Sequence, residues 1–96
     1  MKIKPPGDER LVATFSGYVQ GVGFRYSAVS ESRDFEVRGY VKNLRDGRVE
    51  LVAEGDRKEL MKFLERLQTV FRQHVKDVQV QWEPAMGKFE GFGIAH

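Results

Sequence analysis

Gly17-Tyr18-Val19-Gln20-Gly21-Val22-Gly23-Phe24-Arg25 separates an apolar run that reads as a strand from a segment that reads as a helix. Gly21 and Gly23 lack a Cβ, so the backbone there can bend in ways closed to other residues and let a ligand approach. Successive N–H groups in such a turn converge into an anion-binding concavity. The helix that follows adds its own unpaired N–H groups and the positive end of its dipole. Arg25 sharpens the reading. A cation in the first turn of a helix faces charge of its own sign and is mildly unfavourable there. A dianionic phosphate held by loop, helix end and guanidinium together reverses that sign.

Upstream of the loop, residues 10–17 alternate Leu11, Ala13 and Phe15 with Val12, Thr14 and Ser16, which predicts a strand. Downstream, a helix is expected from residue 24 to about residue 33, with Phe24 and Ala28 turned inward and Val29 beside them. Ser27, Ser30 and Ser32 weaken it by competing for backbone hydrogen bonds. Residues 37–43 alternate Val37, Gly39 and Val41 with Arg38, Tyr40 and Lys42, another strand. Asp46-Gly47 signals a hairpin turn, and residues 49–54 return.

The clearest helix runs from residue 57 to about residue 71, with Leu60, Phe63, Leu64, Leu67, Val70 and Phe71 on one stripe. Asp56 is its N-cap, and Glu59 suggests a capping box. Val78, Val80 and Trp82 form a further strand, residues 84–87 break it, and Phe92 with Ile94 make a short last strand. With right-handed crossovers this order gives an antiparallel sheet with both helices on one face, the ferredoxin-like α+β sandwich. Residues 1–9, polar and holding Pro5-Pro6-Gly7, are expected to be a loosely ordered extension to a single domain over residues 10–96.

Strand parity gives Asn43 a place. It shares a side with Val41 and Gly39, the side toward the helices, and lies where the apolar core runs out. An amide there offers a donor and an acceptor, enough to fix the orientation of a water beside the anion loop. Tyr40, Arg38 and Lys42 fall on the opposite face, expected to be solvated. Alone, Asn43 would be turn chemistry and Arg25 a solvated charge; the surrounding motif reverses both readings. Phe24 and Gly39 are expected in packing, and His74 and His96 at the surface.

No G-K-[ST] ending makes the loop a nucleoside-triphosphate P-loop, and no third glycine completes a dinucleotide fingerprint. The run Gly17-x-Val19-Gln20-Gly21-Val22-Gly23-Phe24-Arg25 instead resembles the signature of the acylphosphatases. A second match, Gly39-Tyr40-Val41-Lys42-Asn43-Leu44-Arg45-Asp46-Gly47-Arg48-Val49, follows in order. The resemblance spans roughly residues 11–94. It departs from the family in a polar segment at residues 30–35 and in the Ala95-His96 ending. It implies hydrolysis of the carboxyl–phosphate bond of acyl phosphates, with inorganic phosphate as product and inhibitor. By the same resemblance Arg25 and the loop Gln20, Gly21, Val22, Gly23 and Phe24 would bind the phosphate, and Asn43 would orient the attacking water.

The rest of the sequence agrees. Neither motif holds a His or Glu placed as a general base, and Asp46 is explained by its turn. An acyl phosphate leaves as a weakly basic carboxylate, so positioning and charge stabilisation suffice. With two His and no Cys, neither a metal site nor another cofactor is expected. Sixteen basic against fourteen acidic residues leave a charge of +2, too little to imply nucleic acid. No apolar run is long enough to span a membrane. A monomeric cytoplasmic enzyme is expected. The alternatives are a non-catalytic acyl-phosphate-binding domain and a nucleic-acid-binding module of the same fold.

Overall fold

In the computed structural model, which describes residues 7–96, the alternating run around Leu11 forms β1 (Asp8–Gly17). It is followed by α1 (Phe24–Ser32), β2 (Val37–Asn43), β3 (Val49–Asp56), α2 (Arg57–Val70), β4 (Val75–Pro84) and β5 (Phe92–Ala95). The extension expected at residues 1–9 falls largely on residues 1–6, outside the described residues. Asp8 and Glu9 belong to the sheet, paired with Asp56 and Gly55 of β3.

The sheet order is β4-β1-β3-β2-β5, antiparallel between its first four strands. This is the ferredoxin-like arrangement. The expected all-antiparallel sheet needs one correction, because β5 pairs parallel to β2, with Gly39 opposite Phe92 and Val41 opposite Ile94. The reason is topological. β4 ends beside the start of β1, where Glu9 faces Pro84. The chain then crosses under the sheet and enters β5 at that same end, so it must run alongside β2.

One parity set builds the core. Leu11, Ala13 and Phe15, Val37 and Val41, and Val49, Leu51 and Ala53 are buried together with Phe24 and Ala28 of α1 and Leu60, Phe63 and Leu67 of α2. Burying each large side chain of this kind contributes about 1.5–3 kcal/mol. At Gly39 a Cβ would stand 1.9 Å from the Val52 carbonyl oxygen, so only glycine fits that pairing.

Asp56 caps α2 by accepting from the Lys58 N–H at 3.1 Å. No capping box forms, because Glu59 turns instead to the N–H of Glu36 at 3.0 Å. Val70 is exposed, not part of the buried stripe. There the helix ends, and Phe71 swings in to pack on Phe24 at 4.6 Å between ring centroids.

The face opposite the helices is not merely solvated. Residues 85–91 cross it, and Phe89 packs edge-on against Tyr40 at 5.9 Å with the Arg10 guanidinium over its ring. Glu54, wholly buried, accepts from the Met86 and Gly87 N–H groups at 2.9 and 3.0 Å and from Arg10 at 2.8 Å. Burial pushes the Glu54 carboxyl up, but these donors outweigh it and hold its pKa below the ordinary value.

Candidate functional site

The loop between β1 and α1 is shaped by two different demands on glycine. At Gly17, with φ +116°, a Cβ would lie 2.4 Å from the His74 carbonyl oxygen, so close approach of the α2–β4 connection excludes a side chain. The next N–H, that of Tyr18, donates to the same carbonyl at 2.8 Å. Gly21 and Gly23 are open to space, with φ of +78° and +79°. Their requirement is the left-handed backbone, which costs an ordinary residue about 1–2 kcal/mol.

Gly23 is the N-cap of α1, and no side chain caps that helix or places an acid in its first turn. The first intrahelical bond runs from the Ser27 N–H to the Gly23 carbonyl at 3.0 Å. The N–H groups of Phe24, Arg25 and Tyr26 therefore have no acceptor within the helix, and its positive end is uncompensated. Phe24 drives its ring into the core, against Phe15 at 4.9 Å. Arg25, next in the chain, is half-buried and pairs with no carboxylate among the described residues.

Asn43, the last residue of β2, closes the other side. Its Oδ1 is buried and receives no hydrogen bond from any described residue. An acceptor left so costs about 1–3 kcal/mol. A pocket of about 150 Å³ joins these parts, lined by Val19, Gly21, Gly23, Phe24, Arg25, Tyr26 and Asn43. It is far larger than the roughly 10–15 Å³ that admits one water. One concavity thus presents a guanidinium, a helix N-terminus and an unsatisfied amide oxygen.

Gln20 and Val22 are not among the lining residues. Val22 projects outward. The Gln20 side chain is committed elsewhere, its Nε2 donating to the Leu44 carbonyl at 2.8 Å and the Arg48 carbonyl at 2.9 Å. Sequence reasoning missed Val19 and Tyr26. Tyr26 had a signal, since it follows Arg25 in the first helical turn, yet it is 73% exposed at the pocket rim. Asp46 is a turn residue: its carboxylate accepts the N–H of Arg48 at 3.1 Å and Nε of Arg48 at 2.8 Å. The backbone donor first, then the guanidinium, lower its pKa.

His74 lies deeper than expected. It is half-buried, its Nδ1 is enclosed and its ring meets Phe71 edge-on at 5.8 Å. Neither His74 nor the exposed His96 lines the pocket. Among the described residues no group of three or more His, Cys, Asp or Glu is placed to hold a metal ion, and no helix is long and apolar enough to cross a membrane. A wider depression of about 300 Å³ beside Phe35 and Arg66 gathers no comparable chemistry, because Arg66 is paired with Glu31 and Asp34.

Comparison with known proteins bears on this pocket. The sequence model of the acylphosphatase family matches residues 11–94. The acylphosphatase of Thermus thermophilus is 44% identical over 86 residues, covering 88% of this chain and 97% of the relative. That of an Anaeromyxobacter species is 45% identical over 84 residues, covering 84% and 88%. The crystal structure of acylphosphatase from Bacillus subtilis superposes with a TM-score of 0.82 at 32% identity, covering 92% of this chain and 99% of that one.

Proposed function

Because this chain belongs to the acylphosphatase family, we propose that it hydrolyses acyl phosphates to a carboxylate and inorganic phosphate in the pocket between α1 and Asn43. The observation that carries this reading is the meeting of Arg25, the uncapped helix end and the unsatisfied Asn43 Oδ1 around one pocket. In it the phosphoryl oxygens take the N–H groups of the loop at residues 20–25 and the guanidinium of Arg25, whose paired donors match two oxygens at once.

Asn43 Oδ1 accepts one O–H of the attacking water and leaves a lone pair aimed at phosphorus. The new P–O bond forms as the bond to the acyl oxygen breaks, and the electron pair departs with the carboxylate. The water's proton passes to a phosphoryl oxygen, so no protein base is required. The positive groups stabilise charge on the equatorial oxygens throughout, and alignment supplies the rest. The mechanism calls on no metal or cofactor and forms no phosphoenzyme. The reading includes a monomeric, cytoplasmic hydrolase with no nucleic-acid or membrane partner.

An assay of acetyl phosphate and benzoyl phosphate hydrolysis, run with and without EDTA and with phosphate as competitor, tests it. Turnover unaffected by EDTA and competitively inhibited by phosphate is expected. No turnover of either substrate would leave a non-catalytic acyl-phosphate-binding domain as the reading, and loss of turnover in EDTA restored by a divalent ion would overturn the mechanism.

A further inference from the structure

The glycine loop is thinly held. Between Gly17 and Phe24 only Val19 is buried, and Gly21 and Gly23 touch nothing that a Cβ would meet. Yet the loop must sit at a fixed distance from Asn43, which belongs to a different strand. The Gln20 side chain spans that gap. Its Nε2 donates both hydrogens, to the Leu44 carbonyl at 2.8 Å and to the Arg48 carbonyl at 2.9 Å. Those carbonyls flank the mouth of the β2–β3 loop, where the Leu44 N–H donates to the Arg48 carbonyl at 2.8 Å. Leu44 is covalently joined to Asn43. The amide therefore ties the residue before the anion-binding turn to the residue after the amide that faces the pocket.

We propose that the Gln20 side chain is a positioning group: it contacts no substrate, and it sets the spacing between the anion loop and Asn43 by clamping both carbonyls of the hairpin mouth. This rests on Asn43 holding the water. Its loss should degrade alignment of that water, where errors near 1 Å cost on the order of 10²-fold in rate. Phosphate binding should be spared, because the loop N–H groups and Arg25 lie on one side of the clamp.

The test replaces the donor while keeping its length: Gln20→Met, alone and combined with Asn43→Ala, assayed with acetyl phosphate and with inorganic phosphate as competitor. Gln20→Met should lower kcat roughly 10-fold or more while shifting the phosphate inhibition constant less than about threefold. In the Asn43→Ala background the same change should cost little further, because residues acting through one another are not additive. Gln20→Leu, which likewise lacks the donors and adds no charge, serves in the same way if Gln20→Met does not fold. A kcat within twofold of wild type, an equal proportional loss in both backgrounds, or a loss that tracks the inhibition constant overturns the proposal. If Asn43→Ala itself keeps full turnover, the water-holding reading falls and the clamp falls with it. An impaired Asn43→Ala beside a normal Gln20→Met removes the clamp alone.

Discussion

The rings of Phe15 and Phe24 lie 4.9 Å apart, so the first residue of α1 is locked to the central part of the sheet. Phe71 closes on the other side of Phe24 at 4.6 Å. The start of the helix, and with it the backbone N–H groups and Arg25, is thereby held by the core and not by the loop that precedes it. On the proposed function phosphate should raise the melting temperature of the wild type; Phe24→Ala should lower stability by about 3–5 kcal/mol and abolish that rise. Thermal unfolding with and without phosphate, at equal ionic strength, measures both. A variant that keeps the phosphate-induced rise would show that the loop positions Arg25 unaided.

Arg25 and Asn43 should separate by kinetics. In the proposed mechanism Arg25 meets the phosphate in ground state and transition state alike, so Arg25→Ala should weaken phosphate binding as well as turnover. Arg25→Lys should restore little, because a point charge lacks the paired donors of the guanidinium. Asn43→Ala should lower kcat by about 10²-fold or more while phosphate affinity stays near wild type. Inhibition constants for phosphate alongside kcat for the three variants decide the roles.

Two glycines should respond to very different degrees to the same methyl group. Gly39→Ala would place a Cβ 1.9 Å from the Val52 carbonyl, against backbone that cannot yield without parting β2 from β3. Loss of the folded protein is expected. Gly23→Ala meets no atom within 4 Å, and its cost should be the left-handed strain of about 1–2 kcal/mol. Circular dichroism melts compare the two, and a Gly39→Ala protein as stable as Gly23→Ala would contradict the packing.

Glu54 should give the fold an acid-sensitive component. Its folded pKa lies below the ordinary 4.5, because the Met86 and Gly87 N–H groups and Arg10 outweigh burial. The unfolded state therefore takes up a proton first as pH falls. The stabilisation is present above about pH 4.5 and is lost as pH drops through the lower folded value. Glu54→Gln should flatten stability between neutral pH and pH 3, measured by urea unfolding at each pH. Glu54→Ala should cost about 3–5 kcal/mol at neutral pH by leaving Arg10 without its partner. An unchanged acid profile in Glu54→Gln would move the sensitivity to another carboxylate.

Much of the architecture was legible because it is written in local periodicity. Alternation fixed the sides of β1 and β2, the Asp46-Gly47 turn signal predicted β3, and the stripe around Leu60, Phe63 and Leu67 marked α2, since each depends only on residues near in sequence. The same parity put Asn43 on the helix side of its strand. Other features depend on partners distant in the chain. The alternation around Tyr40 gives no hint that residues 85–91 would cover that face, because their own pattern is not periodic. Nor does Glu54, at the end of the expected return strand, announce that two N–H groups from beyond β4 will meet its buried carboxylate.

The sequence by itself determined the strand–helix order, the two glycine-rich motifs and the presence of Arg25 and Asn43 within them. Only the tertiary structure decided that these residues share one pocket, that β5 runs parallel to β2, and that the Gln20 side chain reaches the hairpin mouth instead of the pocket. The physical reason is range: dihedral preference and hydrophobic period act over a few residues. The direction in which an amide hydrogen bonds is settled by carbonyls that arrive from the other end of a fold.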